Sequence, residues 1–138
     1  MADDKYEFAS FKEFLPFYLS EHLHPTSRRW HFAGMTTGII VALGLFALGR
    51  WYLTPLGLVP GYLFAWVGHF GYEKNIPASF SKPWLSLLGD LYVYWRTITG
   101  HIDEDYETHR AEIQGFAVAA KQRKALRATT KIVSHSQG

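Results

Sequence analysis

Two long apolar runs lie between residues 32 and 72. Residues 32–49 form a run of 18 residues without a charged side chain, and residues 52–72 form a second run of 21 residues. A helix rises 1.5 Å per residue, so either run spans about 27–32 Å, which matches the hydrocarbon core of a bilayer. Only Arg50 and Trp51 separate the two runs. The pattern predicts two membrane helices, 32–49 and 52–73, that form a hairpin.

The segments around the hairpin are more polar. Residues 7–31 hold an interfacial helix and a histidine motif, residues 83–99 an amphipathic or partly inserted helix, and residues 100–138 a charged C-terminal region. We therefore predict a single all-α domain, which is an integral membrane helical hairpin flanked by amphipathic, interfacial helices. A soluble bundle with two apolar core helices is the alternative.

The positive charges predict how the hairpin is oriented. Arg28 and Arg29 precede the first run, Lys74 and Lys82 follow the second, and the connection carries only Arg50. Because positive residues accumulate on the cytoplasmic side, both termini are predicted to be cytoplasmic. A bacterial inner membrane suits so small a protein, and an internal eukaryotic membrane is the alternative.

Composition removes several kinds of chemistry. The chain has no cysteine, which excludes disulfides, zinc ribbons, iron–sulfur clusters and thiol catalysis. A net charge of +2 gives no support for nucleic-acid binding, and no Walker loop, GxGxxG or GxSxG motif occurs. The seven histidines therefore become the candidates for metal chemistry.

Four of the histidines are predicted to share one layer. His22, His24 and His31 lie close together before the first run, and His69 lies near the end of the second, four residues before Glu73. A hairpin returns both groups to the same membrane face, near the cytoplasmic interface. Neutral imidazoles bind Fe, Zn, Cu or Ni, although a purely hydrogen-bonding role is the alternative. The remaining three are not expected to be ligands: His101, His109 and His135.

Two motifs carry a resemblance to a known family. The patterns H-x2-P-x5-H and G-H-x3-E-K-x2-P-A, separated by a hydrophobic hairpin, resemble those of small membrane proteins related to the fungal 2-hydroxy-fatty-acid dioxygenase. The matching residues are His22, Pro25 and His31, and then Gly68, His69, Glu73, Lys74, Pro77 and Ala78.

The resemblance implies an Fe(II)-dependent enzyme that uses O2 to shorten a 2-hydroxy fatty acid by one carbon. On this hypothesis His22, His31 and His69 are the iron ligands, and His24 and Glu73 are further ligands or hydrogen-bond partners. The remaining candidates are Arg28, Arg29 or Lys74 for the substrate carboxylate, Tyr18 for a ligand or the substrate, and Asp90 for orienting a histidine or forming a salt bridge.

Other functions remain open from the sequence. A di-iron hydroxylase or desaturase is disfavoured because the chain lacks HH and HxxxH boxes. A non-enzymatic membrane scaffold or lipid-binding protein would need no metal. A zinc-dependent lipid hydrolase would use Glu73 as its general base. The sequence leaves the substrate chain length and the oligomeric state open.

Overall fold

The structure is a computed structural model that describes residues 6–136, with side chains as far as residue 130. The described residues contain helices and no β-strand, which confirms the prediction of an all-α fold. The α-helices are α1 (Phe11–Ser20), α2 (Pro25–Ala47), α3 (Leu58–Trp66), α4 (Pro83–Ile98), α5 (Ile102–Thr108) and α6 (Arg110–Ser136).

Helix α2 begins earlier than the apolar pattern indicates. His24 caps it, since its Nδ1 accepts a hydrogen bond from the Thr26 backbone N–H at 3.2 Å, and Pro25 occupies the first turn. The histidine motif predicted to precede the first membrane helix thus supplies the first two turns of α2. His31 consequently lies on a regular helix.

The second apolar run is not one regular α-helix. It forms a 3-10 helix (Trp51–Gly57), then α3, then a π-helix (Val67–Glu73). Pro55 lies inside the 3-10 segment, and the missing N–H of a proline disfavours a regular α-helix there. Among the described residues, α2 is the one helix with the length and composition to cross a bilayer.

The two arms still pack as an antiparallel hairpin. A Cβ added at Gly57 would lie 2.5 Å from the Gly38 carbonyl oxygen, and one added at Gly34 would lie 2.7 Å from Phe64 Cβ. The backbones touch at Gly38 and Gly57, where only glycine fits. This contact fixes how the start of α2 faces the π-helix, which is where the histidines lie.

Helix α1 lies at the centre of the protein core. Phe14 and Leu19 are fully buried, because α4 and α6 cover the helix that the sequence suggested would lie on the membrane surface. Phe116 of α6 packs edge-on against Phe17, and Ile113 packs against Leu19. Helix α1 and its C-terminal link therefore offer a rigid support for the adjoining site.

Candidate metal centre

Three histidines from three parts of the fold meet at one end of the hairpin. His22 lies in the link between α1 and α2, His31 in α2, and His69 in the π-helix. One ligand atom from each lies within 4.8 Å of the others, and the Nε2 atoms of His22 and His31 are 3.2 Å apart. His22 and His69 are buried. The structure thus brings together the three histidines for which the sequence analysis predicted metal binding.

The opposite nitrogen of each ring is oriented by an oxygen atom. Nδ1 lies 2.7 Å from the Tyr18 carbonyl oxygen in His22, 3.0 Å from Asp90 Oδ1 in His31, and 2.8 Å from Asn75 Oδ1 in His69. These oxygens accept hydrogen bonds, so each Nδ1 carries a proton, and in the neutral form of each ring the lone pair is on Nε2. Such partners are typical of histidines that bind a metal.

The donor set fits a metal cation. Burial, reinforced by His31 and His69 nearby, lowers the pKa of His22 well below its usual value, so this ring is neutral near pH 7. Three lone pairs directed at one small volume repel one another, and a divalent cation between them would remove that repulsion. Three imidazoles without a thiolate suit iron or zinc.

Asp90 supports His31 from α4. Its Oδ1 accepts hydrogen bonds from His31 Nδ1 at 3.0 Å and from the Tyr18 hydroxyl at 2.5 Å. Gly89 permits this arrangement, because a Cβ there would lie 2.7 Å from the Tyr18 ring. Burial, with the Asp90 charge, raises the pKa of Tyr18 well above its usual value, so the phenol stays a donor.

The salt bridge predicted as one alternative for Asp90, with Arg28, Arg29 or Arg96 as its partner, is not found among the described residues. Arg96 Nε instead donates to Asp105 Oδ2 at 2.6 Å, at the other end of α4. Asp90 is therefore positioned as the carboxylate that orients His31, the other role considered for it.

Asn75 and Glu21 complete the support of His69, and the sequence analysis did not single out either residue. The Asn75 side-chain amide donates to Glu21 Oε2 at 2.7 Å and to the Glu21 carbonyl at 3.2 Å, which turns its Oδ1 towards His69. Lys74 adopts a left-handed conformation with φ of 51° and turns the chain back towards the site. The position of Asn75 inside the second motif was the available signal.

His24 and Glu73 lie together beside the triad rather than in it. His24 is exposed at the start of α2, and its backbone N–H donates to Glu73 Oε1 at 2.7 Å. This bond ties the start of α2 to the end of the π-helix. Among the described residues, the group that could hold a metal consists of the three histidines without these two.

The three basic candidates differ in placement. Arg28 lies 4.8 Å from the centre of the Tyr106 ring, whose hydroxyl donates to the His22 carbonyl oxygen at 2.8 Å. It lines a small cavity with His22 and with both Tyr18 and Asp90. Arg29 and Lys74 are exposed. Arg28 is therefore the basic residue placed against the site.

The remaining histidines do not join the triad where their side chains are described. His101 is exposed before α5, and His109 Nδ1 lies 3.4 Å from Glu112 Oε1. The side chain of His135 lies outside the described residues.

An apolar groove leads away from the triad along the hairpin. It has a volume of about 260 Å³, begins at His31 and Asp90, and continues between α2, the 3-10 helix and α4. Its lining includes Met35, Ile39, Ala42, Leu58, Leu87 and Leu91. From His31 to Ala42 the helix rises about 16 Å, roughly the depth of one leaflet of the hydrocarbon core.

Fold and site together define an all-helical protein with a candidate metal centre of three buried or half-buried histidines. The model of the 2-hydroxy-palmitic acid dioxygenase Mpo1-like family matches residues 8–102, and the chain belongs to this family. The match includes the three histidines, Asn75 and Asp90, and it ends before α6. No curated protein and no solved structure matches the chain.

Proposed function

We propose that this protein is an iron(II)-dependent dioxygenase that shortens 2-hydroxy fatty acids by one carbon. The observation that carries the proposal is the convergence of three histidine side chains, each with its Nδ1 already hydrogen-bonded, at the mouth of an apolar groove, in a chain of the Mpo1-like family. The groove suits an acyl chain, and the histidines suit a cation that binds the carboxylate end of that chain.

His22, His31 and His69 would hold the iron. Iron held there would supply the redox chemistry that lets O2 react and a Lewis acid for the oxygen atoms of the substrate. Zinc has no redox chemistry and would supply only the Lewis acid. The overall reaction needs no further co-substrate, because 2-hydroxy acid and O2 balance the shortened acid, carbon dioxide and water.

The protein's own residues bind and orient the substrate. The apolar groove holds the acyl chain away from water, so that the carboxylate end reaches the histidines. Arg28 is the basic residue that lines the adjoining cavity, and its guanidinium attracts the carboxylate. Asp90 and Asn75 keep the two histidines they contact in a fixed tautomer and orientation.

The geometry gives less support to the two alternatives. A zinc hydrolase with Glu73 as general base needs this carboxylate beside the metal, whereas Glu73 accepts a hydrogen bond from the His24 backbone. A scaffold or lipid-binding protein has no need of three histidines with aligned lone pairs. Metal analysis separates the scaffold from the enzyme.

We also propose that the hairpin lies in a bilayer, with the site at the cytoplasmic interface. Only 11% of the most apolar 18-residue stretch of α2 is buried within the protein, whereas a core helix of a soluble bundle would be mostly buried. Large apolar side chains on the outer faces of the helices are exposed, including Leu43, Phe46, Trp84 and Trp95. Lipid would cover this surface.

The activity can be tested on the detergent-purified protein. The protein is isolated without oxygen, loaded with Fe(II), and given 2-hydroxyhexadecanoate and O2. We expect pentadecanoic acid, detected by mass spectrometry, and no product from hexadecanoate or from zinc-loaded protein. Iron-loaded, folded protein that forms no pentadecanoic acid would contradict the proposal.

A further inference from the structure

Ser86 places a buried hydroxyl next to the candidate metal centre. It lies on α4, one turn before Asp90, and its side chain is almost fully buried, with 3% of the residue exposed. Its Oγ has no hydrogen-bond partner among the described residues. Serines in helices usually bond a carbonyl oxygen of the preceding turn, so a buried hydroxyl without this bond is available to a ligand.

The hydroxyl lines a small polar pocket. The other polar residues around it are Ser79 and Tyr62, together with members of the triad and its supports, namely His31, His69, Asp90 and Tyr18. The pocket has a volume of about 10 Å³, which is room for about one water-sized group. It shares His31, Asp90 and Tyr62 with the apolar groove, so an acyl chain in the groove can place a small substituent in the pocket.

Charge decides which substituent suits the pocket. No lysine or arginine is among the described residues that line it, and Asp90 contributes a carboxylate. A second carboxylate would be repelled there, whereas a neutral hydroxyl can both accept and donate. The neighbouring cavity contains Arg28 and is the place that attracts the carboxylate.

We propose that this pocket is a subsite for the C2 hydroxyl of the substrate, with the Ser86 hydroxyl donating a hydrogen bond to its oxygen. The inference rests on the proposed function, because it assigns the part of the site that separates 2-hydroxy fatty acids from ordinary fatty acids. A buried hydroxyl that binds a substrate hydroxyl favours the hydroxylated acid, since an unhydroxylated acid leaves Ser86 without a partner.

The test compares the binding of two acids without turnover. Under anaerobic conditions, iron-loaded wild-type protein and its Ser86→Ala variant are titrated with 2-hydroxyhexadecanoate and with hexadecanoate. We expect the variant to bind the 2-hydroxy acid about 3- to 10-fold more weakly, the effect of one neutral hydrogen bond, and to bind hexadecanoate unchanged. Iron content stays at the wild-type value.

A matched control uses a serine outside the pocket. The Ser81 hydroxyl is satisfied by the Ala78 carbonyl oxygen at 3.3 Å, so Ser81→Ala is expected to leave both affinities unchanged. Equal weakening of both acids by Ser86→Ala, or no weakening, would overturn the proposal. The proposal would also be overturned if Ser86→Ala left the affinities for both acids unchanged and altered only how the turnover rate depends on O2 concentration. The pocket would then serve O2 or water.

The outcomes also separate this subsite from the proposed activity. If wild-type protein prefers the 2-hydroxy acid and loses that preference with Ser86→Ala, but forms no pentadecanoic acid, the subsite stands and the dioxygenase function fails. If wild-type protein shortens the acid and Ser86→Ala discriminates as well as wild type does, the function stands and the subsite fails. Absence of any preference in wild-type protein overturns the subsite whatever the activity.

Discussion

Each histidine of the triad is oriented through the same ring nitrogen, but by a different kind of partner. His22 donates to a backbone carbonyl one turn back, His31 to a carboxylate of α4, and His69 to a side-chain amide. A histidine so oriented presents Nε2 without needing the metal to select its rotamer. The arrangement is therefore preorganised for binding, and each acceptor also raises the basicity of its ring.

The ligand role of these histidines can be separated from their structural role. Loss of a residue that hydrogen-bonds a metal ligand typically lowers metal affinity by about 10- to 100-fold. We expect His69→Ala to lower iron affinity by more than this, because it removes a ligand atom itself. His24→Ala is the control, since His24 is exposed and lies beside the triad. Iron per chain is measured in anaerobically purified protein. Stoichiometric iron in folded His69→Ala protein would exclude His69 as a ligand.

Two residues of the site could not be found by reading single residues in the sequence. Asn75 matters because its amide links Glu21 at the end of α1 to His69, and this relation depends on the path of three elements. Ser86 is one of several polar residues on an aromatic-rich helix, and only its burial distinguishes it. By contrast, His31 lies where the first arm of the hairpin begins and His69 lies where the second arm ends. The two arms are antiparallel, so topology alone predicts that these histidines meet.

At the scale of elements, the position of the triad depends on how closely the two hairpin arms approach. Gly38 of α2 faces Gly57 of the 3-10 helix backbone to backbone. Farther along α2, Gly44 has nothing within 4 Å of the position of a Cβ. The same helix therefore supplies one glycine that the packing requires and one that it does not.

These two glycines give a prediction with opposite signs. Gly38→Ala places a methyl group against the Gly57 carbonyl, and we expect the free energy of unfolding to fall by about 1–3 kcal/mol, as in overpacked interiors. Gly44→Ala is expected to raise it by up to about 1 kcal/mol, because alanine favours a helix. Both are measured by thermal unfolding in one detergent. Equal shifts would show that the close contact does not exist in solution.

The elements themselves could be predicted from the sequence only in part. The apolar pattern indicates the hairpin, but it places the start of the first helix at residue 32, because the polar residues before it hide a first turn that begins at Pro25. Helix α1 was expected at the interface. The sequence pattern does not show that Ile113 and Phe116 of α6, which lie far along the chain, cover it within the protein core.

At the scale of the whole molecule, positive charge collects at the end that holds the triad. Arg28 lies beside the histidines, and Lys124 of α6 donates to the Lys74 carbonyl oxygen at 2.9 Å, just beyond the π-helix. In the link between α2 and the 3-10 helix, at the opposite end of the hairpin, Arg50 is the one charged residue. This separation of charge supports an orientation in which the triad faces the cytoplasmic headgroups, and anionic lipids would strengthen it.

The orientation can be tested with cysteine labelling, because the chain contains no cysteine of its own. Three exposed positions are each replaced in turn: Glu7→Cys before α1, Arg50→Cys at the tip of the hairpin, and Lys121→Cys on α6. In right-side-out vesicles we expect an impermeant maleimide to label Arg50→Cys and not the other two, with the pattern reversed in inside-out vesicles.

A hairpin that lies on one surface without crossing would expose all three residues on the same side, so labelling of all three in one kind of vesicle would contradict a spanning hairpin. Such a result would leave the triad at an interface, but its apolar groove would then run along the membrane surface, and the acyl chain would have to enter from the side rather than rise from the depth of the leaflet.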